Sequence, residues 1–317
     1  MNRLASAVRG LRSGQPRRGD EGQVLVIFAL ALVAIVAMTG LVLDGGSAFV
    51  QRRDLQNVAD AAAMSAGYAY SLDGSTGSAT SAARGTAAAN GVVHGVGGVT
   101  VDVSWDAAGG EGRHFTVNVS KPHANNFAGI VGMPTWQVST TATIQAGLPN
   151  AAIGAMPIIF NKKAFTGNGA GDGHEVAYDE PDPGNEDVPL TSNKFNWTEY
   201  CNDCNADSNT VRDLINGGGE TRTITLDDHI SPLNAGSHTT LFSAMANWVG
   251  KDFAVPVVDD SGNMVGWATF HLTGSVGGST KQIRGYFVSP INPKGMTVVE
   301  GSRAGGNFGS YSVKLTN

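Results

Sequence analysis

The residues best suited to chemistry by type and spacing are Cys201 and Cys204, the only two thiols of the 317-residue chain, separated by Asn202 and Asp203. That spacing suits half of a zinc site, a redox pair or a short-loop disulfide. Zinc needs four ligands, and no second pair is present; His229 and His238 lie at a spacing no common zinc template uses. A redox CxxC calls for a βαβ context that the pattern does not offer. The sequence therefore favours a structural disulfide between Cys201 and Cys204, closing so short a loop that its stabilisation falls at the low end of the usual range. A second candidate is acidic: Asp172, Glu175, Asp179, Glu180, Asp182, Glu186 and Asp187 crowd a Gly/Pro-rich insert near 167–193. Such a loop offers carboxylates to calcium, but it lacks EF-hand spacing, and a solvated acidic surface is the plainer reading. GNGAGDG at 167–173 lacks the Lys of a phosphate loop. No HExxH or GxSxG is present, and the seven His are scattered and read as surface or strand residues. The Asn118 and Asn196 sequons are of a kind that chance supplies often. The expectation is a protein that is not an enzyme, with no catalytic residue, metal or cofactor assigned.

The elements that would carry these residues begin with a membrane segment. Val24–Leu43 reads VLVIFALALVAIVAMTGLVL, twenty residues without a charge. At about 1.5 Å per residue a helix of that length matches a hydrocarbon core of about 30 Å, and its backbone is satisfied internally, as lipid demands. Arg3, Arg9, Arg12, Arg17 and Arg18 precede it against Asp20 and Glu21, so residues 1–22 carry +3 while the rest of the chain carries -9 of the total -6. Positive residues before the span and Asp44 directly after it place the N-terminus in the cytoplasm and the bulk of the chain outside. An acidic body argues against nucleic-acid binding. A cleaved signal peptide would have a shorter apolar core and a small-x-small site, which Asp44-Gly45-Gly46-Ser47-Ala48 fits poorly.

Helix formers continue past Gly45-Gly46 without a Pro, so Val24 to Ser71 reads as one helix that can kink at the glycines. Leu55, Val58, Ala59, Ala62 and Ala66 recur at spacings of three and four, giving a narrow stripe of mostly Ala that lets another surface approach closely.

The stretch EGQVLVIFALALVAIVAMTGLVLDGGSAFVQRRDLQNVADAAAMSA, and above all the run from Arg52 to Ala63, resembles the N-terminal segment of TadE/TadG-like proteins of the Flp (Tad) pilus system. Phe127–Gly132 and Val138–Ala142 resemble the short helix and closing strand that follow in such proteins; beyond about residue 148 the resemblance thins. It implies a pilin-like protein that works beside other Tad/Flp pilus assembly proteins and the cytoplasmic membrane. Two features depart from the family. Prepilin-like members carry Glu at the fifth position after the processing Gly, where counting from Gly22 gives Ile27. The Asp-x-Ser-x-Ser metal motif of larger relatives is absent.

The rest of the chain alternates with period two: Val99, Val101, Val103 and Trp105, then Phe115, Val117 and Val119, with a turn at 109–112 between them. A third strand is expected near Gln137–Gln145, and the stretch after Ser71 reads as loop with a short Ala-rich helix. Further strands are expected at Phe253–Val258, Met264–Leu272, Gln282–Ser289, Met296–Glu300 and Tyr311–Leu315, with a short helix at Leu241–Val249. The fold expected is α+β: a long N-terminal helix, transmembrane then amphipathic, packed on an antiparallel pilin-like sheet and followed by a β-rich C-terminal region. The expected organisation is a basic tail 1–22, a transmembrane helix 23–43, a pilin-like domain 44–148 and a β-rich extracytoplasmic domain 149–317. Helix packing is expected to be most sensitive at Leu55, Gln56, Ala59 and Ala62. The leading expectation is a membrane-anchored pilin-like structural or assembly component of a Tad (Flp) pilus or secretion system. The alternative is an anchored binding or sensing protein with a calcium or glycan ligand in the 167–193 loop.

Overall fold

The computed structural model describes residues 20–106, 112–167, 173–181, 191–200, 207–232, 238–299, 302–303 and 305–316. The first helix, α1, runs unbroken over Asp20–Asp73, 54 residues, straight through Gly45-Gly46. Each glycine costs a helix about 1 kcal/mol against Ala, and this helix absorbs the pair without a break. Where a loop with a short Ala-rich helix was expected, the helix takes up most of the stretch: α2 (Thr76–Ala89), 14 residues. The Ser75 hydroxyl accepts the Ser78 amide at its start, and Ala79, Ala83 and Ala87, four residues apart, are buried along one side.

The strands follow in chain order: β1 (Thr100–Trp105), β2 (Arg113–Ala124), β3 (Thr135–Gly147), β4 (Ala151–Ala152), β5 (Ile158–Asn161), β6 (Val176–Asp179), β7 (Phe195–Glu199), β8 (Ile224–Thr225), β9 (Ser231–Pro232), β10 (Asp252–Val258), β11 (Met264–Val276), β12 (Gln282–Val288), β13 (Met296–Thr297) and β14 (Ser312–Leu315). Short helices α3 (Ala164–Gly167), α4 (Ser208–Gly217) and α5 (Thr239–Met245) lie among them. Among the described residues the sheets are β1-β2-β3-β14, β6-β12-β11-β10-β5-β7-β9 and β13-β4-β8. The hairpin expected at the start is antiparallel, with Val101 opposite Val119 and Trp105 opposite Phe115; its turn falls largely outside the described residues. The last strand, β14, returns to pair antiparallel with β3.

Contacts divide the chain into two units, the described residues of Met1–Arg53 with Pro122–Val138, and those of Asp54–Lys121 with Ser139–Asn317. In the first, the apolar run Val24–Leu43 is exposed throughout except for Gly40. Val24, Phe28, Leu32 and Val36 are each more than half exposed. A sleeve of that kind is foreign to water and matched to lipid, and the helix is long and apolar enough to cross a membrane.

In the second unit, the later part of α1 packs on the first sheet. Leu55, Val58, Ala59, Ala62 and Ala66 are buried. A Cβ at Gly67 would come within 2.6 Å of Val313 on β14 and 2.8 Å of Ile144 on β3. The Tyr70 and Phe115 rings lie 5.1 Å apart. The long mixed sheet has its own core, and strand alternation divides it into two faces. Ile158 and Phe160 of β5, Val255 of β10 and Phe270 of β11 face Val211 and Ile215 of α4 and Phe242 of α5. Ile159, Ala254 and Trp267 face Ile224, Ala152 and Met296 of the small sheet. The sheet is thus covered by helices on one side and by three short strands on the other. One pair, β5 with β10, is parallel; the rest of the pairings recorded for that sheet are antiparallel.

Candidate functional site

Cys201 and Cys204 lie outside the described residues, as do Asp172, Asp182, Glu186 and Asp187. Of the acids of that insert that are described, Glu175 is exposed, while Asp179 and Glu180 are engaged within the fold. Asp179 Oδ1 accepts from Gln282 Nε2 at 2.9 Å, and the buried Glu180 carboxylate meets His238 Nδ1. Among the described residues no group of three His, Cys, Asp or Glu is placed to hold a metal. The helix positions Leu55, Gln56, Ala59 and Ala62 lie together on one side of α1. The first, third and fourth are buried, Ala59 and Ala62 completely. Gln56 is half-buried; its Nε2 donates to Asp60 Oδ1 at 2.9 Å and to the Thr141 carbonyl of β3 at 3.2 Å. Alanine there keeps the helix close enough for that side chain to reach a strand backbone.

A cluster that sequence reading did not single out lies in the first unit. Asp44, one residue beyond the apolar run, is fully buried. Its Oδ1 accepts the Asn126 amide at 2.9 Å, and its Oδ2 accepts those of Phe127 at 2.9 Å and Ala128 at 2.7 Å. These amides open the 3₁₀ helix Ala128–Val131, whose first N–H groups have no partner inside the helix. A carboxylate suits that end because the N–H dipoles point at it. The Ala128 amide contributes most to holding the Asp44 carboxyl below its ordinary value of 3.8; burial opposes it, and the Asn126 and Phe127 amides add to it.

Three and seven residues further along the helix, Ser47 and Gln51 meet His123. Its Nε2 lies 3.0 Å from Ser47 Oγ, and its Nδ1 lies 2.7 Å from Gln51 Oε1. Gln51 Nε2 also donates to the Pro122 carbonyl at 3.4 Å. Four residues before Asp44, Gly40 provides the seat for Phe127: a Cβ at Gly40 would come within 2.5 Å of Phe127 Cβ. Gly40, Asp44, Ser47 and Gln51 thus recur at spacings of four, three and four, one face of a helix. That spacing was the available signal in the sequence, but it needs the 122–128 partners to carry meaning. The Phe127–Gly132 segment expected to hold a short helix does hold one.

Beyond the clamp, the 127–133 loop and the helix enclose an apolar groove of about 440 Å³, with Leu32, Val36 and Leu41 on one wall and Phe127, Ile130 and Met133 on the other. The site has the means to bind apolar matter and to hold a loop against a helix.

Residues 22–71 match the family model described as Flp pilus-assembly TadE/G-like, and over that segment the chain is similar to that family. The match takes in the apolar run, Asp44, Ser47, Gln51 and the Leu55–Ala66 stripe. No curated protein and no solved structure matches the chain.

Proposed function

We propose that this chain is a membrane-anchored, pilin-like structural or assembly component of a Tad (Flp) pilus or secretion system, working by association rather than catalysis. One observation carries the reading. Within the segment similar to TadE/G-like proteins, a single helix joins an exposed apolar half, fit for lipid, to an alanine-striped half packed on an antiparallel sheet. A helix of that kind fixes a globular body at a membrane surface and leaves its outer faces for other assembly proteins. The basic residues before the span put the N-terminus in the cytoplasm and the body outside. In this reading residues 1–22 are the tail, 23–43 the span, 44–148 the pilin-like domain, completed by β14, and 149–317 the β-rich extracytoplasmic domain. Cys201 and Cys204 form a disulfide in that oxidising compartment.

The test is intact mass together with membrane fractionation of the protein from its native cells. A full-length mass in the membrane fraction supports a permanent anchor. A mass beginning at Gln23, recovered from sheared surface fibres, makes the chain a minor pilin processed without Glu at the position of Ile27. A soluble chain beginning beyond Asp44 overturns the anchored reading.

A further inference from the structure

The segment Pro122–Val138 contains no Asp, Glu, Lys or Arg. It nonetheless presents Ile130 (81% exposed), Val131 (73%) and Met133 (53%) to the surroundings, which is costly in water. Its place along the helix is the decisive fact. Leu41 and Leu32, which wall the groove opposite Phe127 and Ile130, lie three and twelve residues inward of Asp44. At helical rise those residues are about 5 and 18 Å into the apolar run, from near the outer edge to just past the middle of a hydrocarbon core about 30 Å thick.

Irregular backbone survives at that depth only if its polar groups are satisfied within the protein; seven backbone amides of this segment are, though among the described residues Asn125 Oδ1 has no partner. The amides of Asn126, Phe127 and Ala128 donate to the Asp44 carboxylate. Those of Asn125, Ile130, Gly132 and Met133 donate to the carbonyls of Pro134, Phe127, Gly129 and Ala128. The Asn125 side-chain amide caps the Met133 carbonyl at 2.9 Å. Trp136, half-buried beyond Pro134, is of the type enriched where the hydrocarbon meets the headgroups.

We propose that the 127–133 loop is a second membrane contact, dipping into the extracytoplasmic leaflet beside the span so that lipid acyl chains fill the groove between loop and helix. The inference rests on the anchored reading above. The loop makes the anchor two-pronged: the helix crosses, and the loop, pinned by Asp44, limits how the helix can rotate and tilt in the leaflet.

The test uses the full chain in liposomes of phosphatidylethanolamine and phosphatidylglycerol, with a photoreactive benzoylphenylalanine placed singly at Ile130, Val33 or Val276. All three positions are exposed, so the bulky residue has room at each. Illumination followed by intact mass reads covalent lipid. Lipid on the Ile130 and Val33 variants and none on the Val276 variant is the expected result. Lipid on Val33 alone overturns the loop proposal and leaves the anchor standing. Lipid on neither overturns the anchor and the loop with it. Crosslinking from position 130 to a second polypeptide in place of lipid makes the groove a protein-docking site and overturns the proposal, as does lipid on Val276 matching that on Ile130.

Discussion

The Ala128 amide donates to Asp44 Oδ2 at 2.7 Å, joining positions 84 residues apart. With the Asn126 and Phe127 amides it makes one carboxylate the acceptor for three consecutive backbone donors. Asp44→Ala removes the acceptor and leaves those donors facing apolar surroundings, whereas Asp44→Asn keeps one oxygen and loses the charge. Hydrogen exchange at amides 126–128 is expected to quicken in the order wild type, Asn, Ala, while the amides of β10 and β11 keep their protection. Unchanged exchange at 126–128 in the Ala variant refutes the clamp.

The same contact sets a pH dependence. The folded carboxyl titrates below its ordinary value of 3.8, so the ionised form is favoured by folding. Its contribution is complete above that value and is lost as pH falls through the lowered folded one. Protection of amides 126–128 is expected to hold from neutrality down to about pH 4 and to fail only below it. In the Asn variant this loss should be absent, because nothing at position 44 takes up a proton.

Gly40 and the pair Gly45-Gly46 make a contrast within one helix. A Cβ at Gly40 meets Phe127 at 2.5 Å, while one at Gly45 or Gly46 meets nothing within 4 Å. Gly40→Val should destabilise the loop seat by about 1–3 kcal/mol, the usual cost of overpacking. Gly45→Ala and Gly46→Ala should be neutral or stabilising by up to about 1 kcal/mol through helix propensity. Denaturant unfolding in detergent, read by protease cutting in the 127–133 loop, separates them. Equal behaviour of Gly40→Val and Gly46→Ala would falsify the seat.

Much of this architecture was legible locally. Period-two runs marked β1 and β2, strands were expected where β10, β11 and β12 lie, and the charge-free stretch marked the span, because burial and lipid exposure write themselves into neighbouring residues. The Leu55–Ala66 stripe was legible for the same reason. What escaped depends on distant partners. Asp44 reads as an ordinary flank until the 126–128 amides are beside it, and His123 reads as a surface histidine until Ser47 and Gln51 face its two nitrogens. Helix α2, expected only as a short Ala-rich piece of a loop, is 14 residues long in a composition that resembles a linker. The acidic insert read as a solvated surface, yet Glu180 serves a buried pair with His238, 58 residues away.

The alanine stripe gives a sharper test of the packed half of the helix. Ala59 and Ala62 have no exposed surface, so Ala59→Arg or Ala62→Glu buries an unpaired charge. The cost is several kcal/mol, comparable with a whole folding free energy of about 5–15 kcal/mol. Full-length protein is expected to be lost or to leave the membrane fraction in both variants, while Asn57→Arg on the exposed side is tolerated. Wild-type abundance and fractionation for the two alanine variants would sink the packing scheme.

The buried pair Glu180–His238 tests the C-terminal region. The two side chains are 0% and 8% exposed, and among the described residues Glu180 Oε2 has no hydrogen-bond partner. Removing one member leaves the other buried with its polar group unmatched, so Glu180→Ala and His238→Ala are each expected to destabilise by about 3–5 kcal/mol. The double variant should cost less than the sum of the two, by about 0.5–3 kcal/mol, because the second change removes a group already stranded. Thermal unfolding of the four proteins completes the cycle. Strict additivity would mean that the two residues act separately and that their contact contributes nothing to holding β6 (Val176–Asp179) beside the start of α5 (Thr239–Met245).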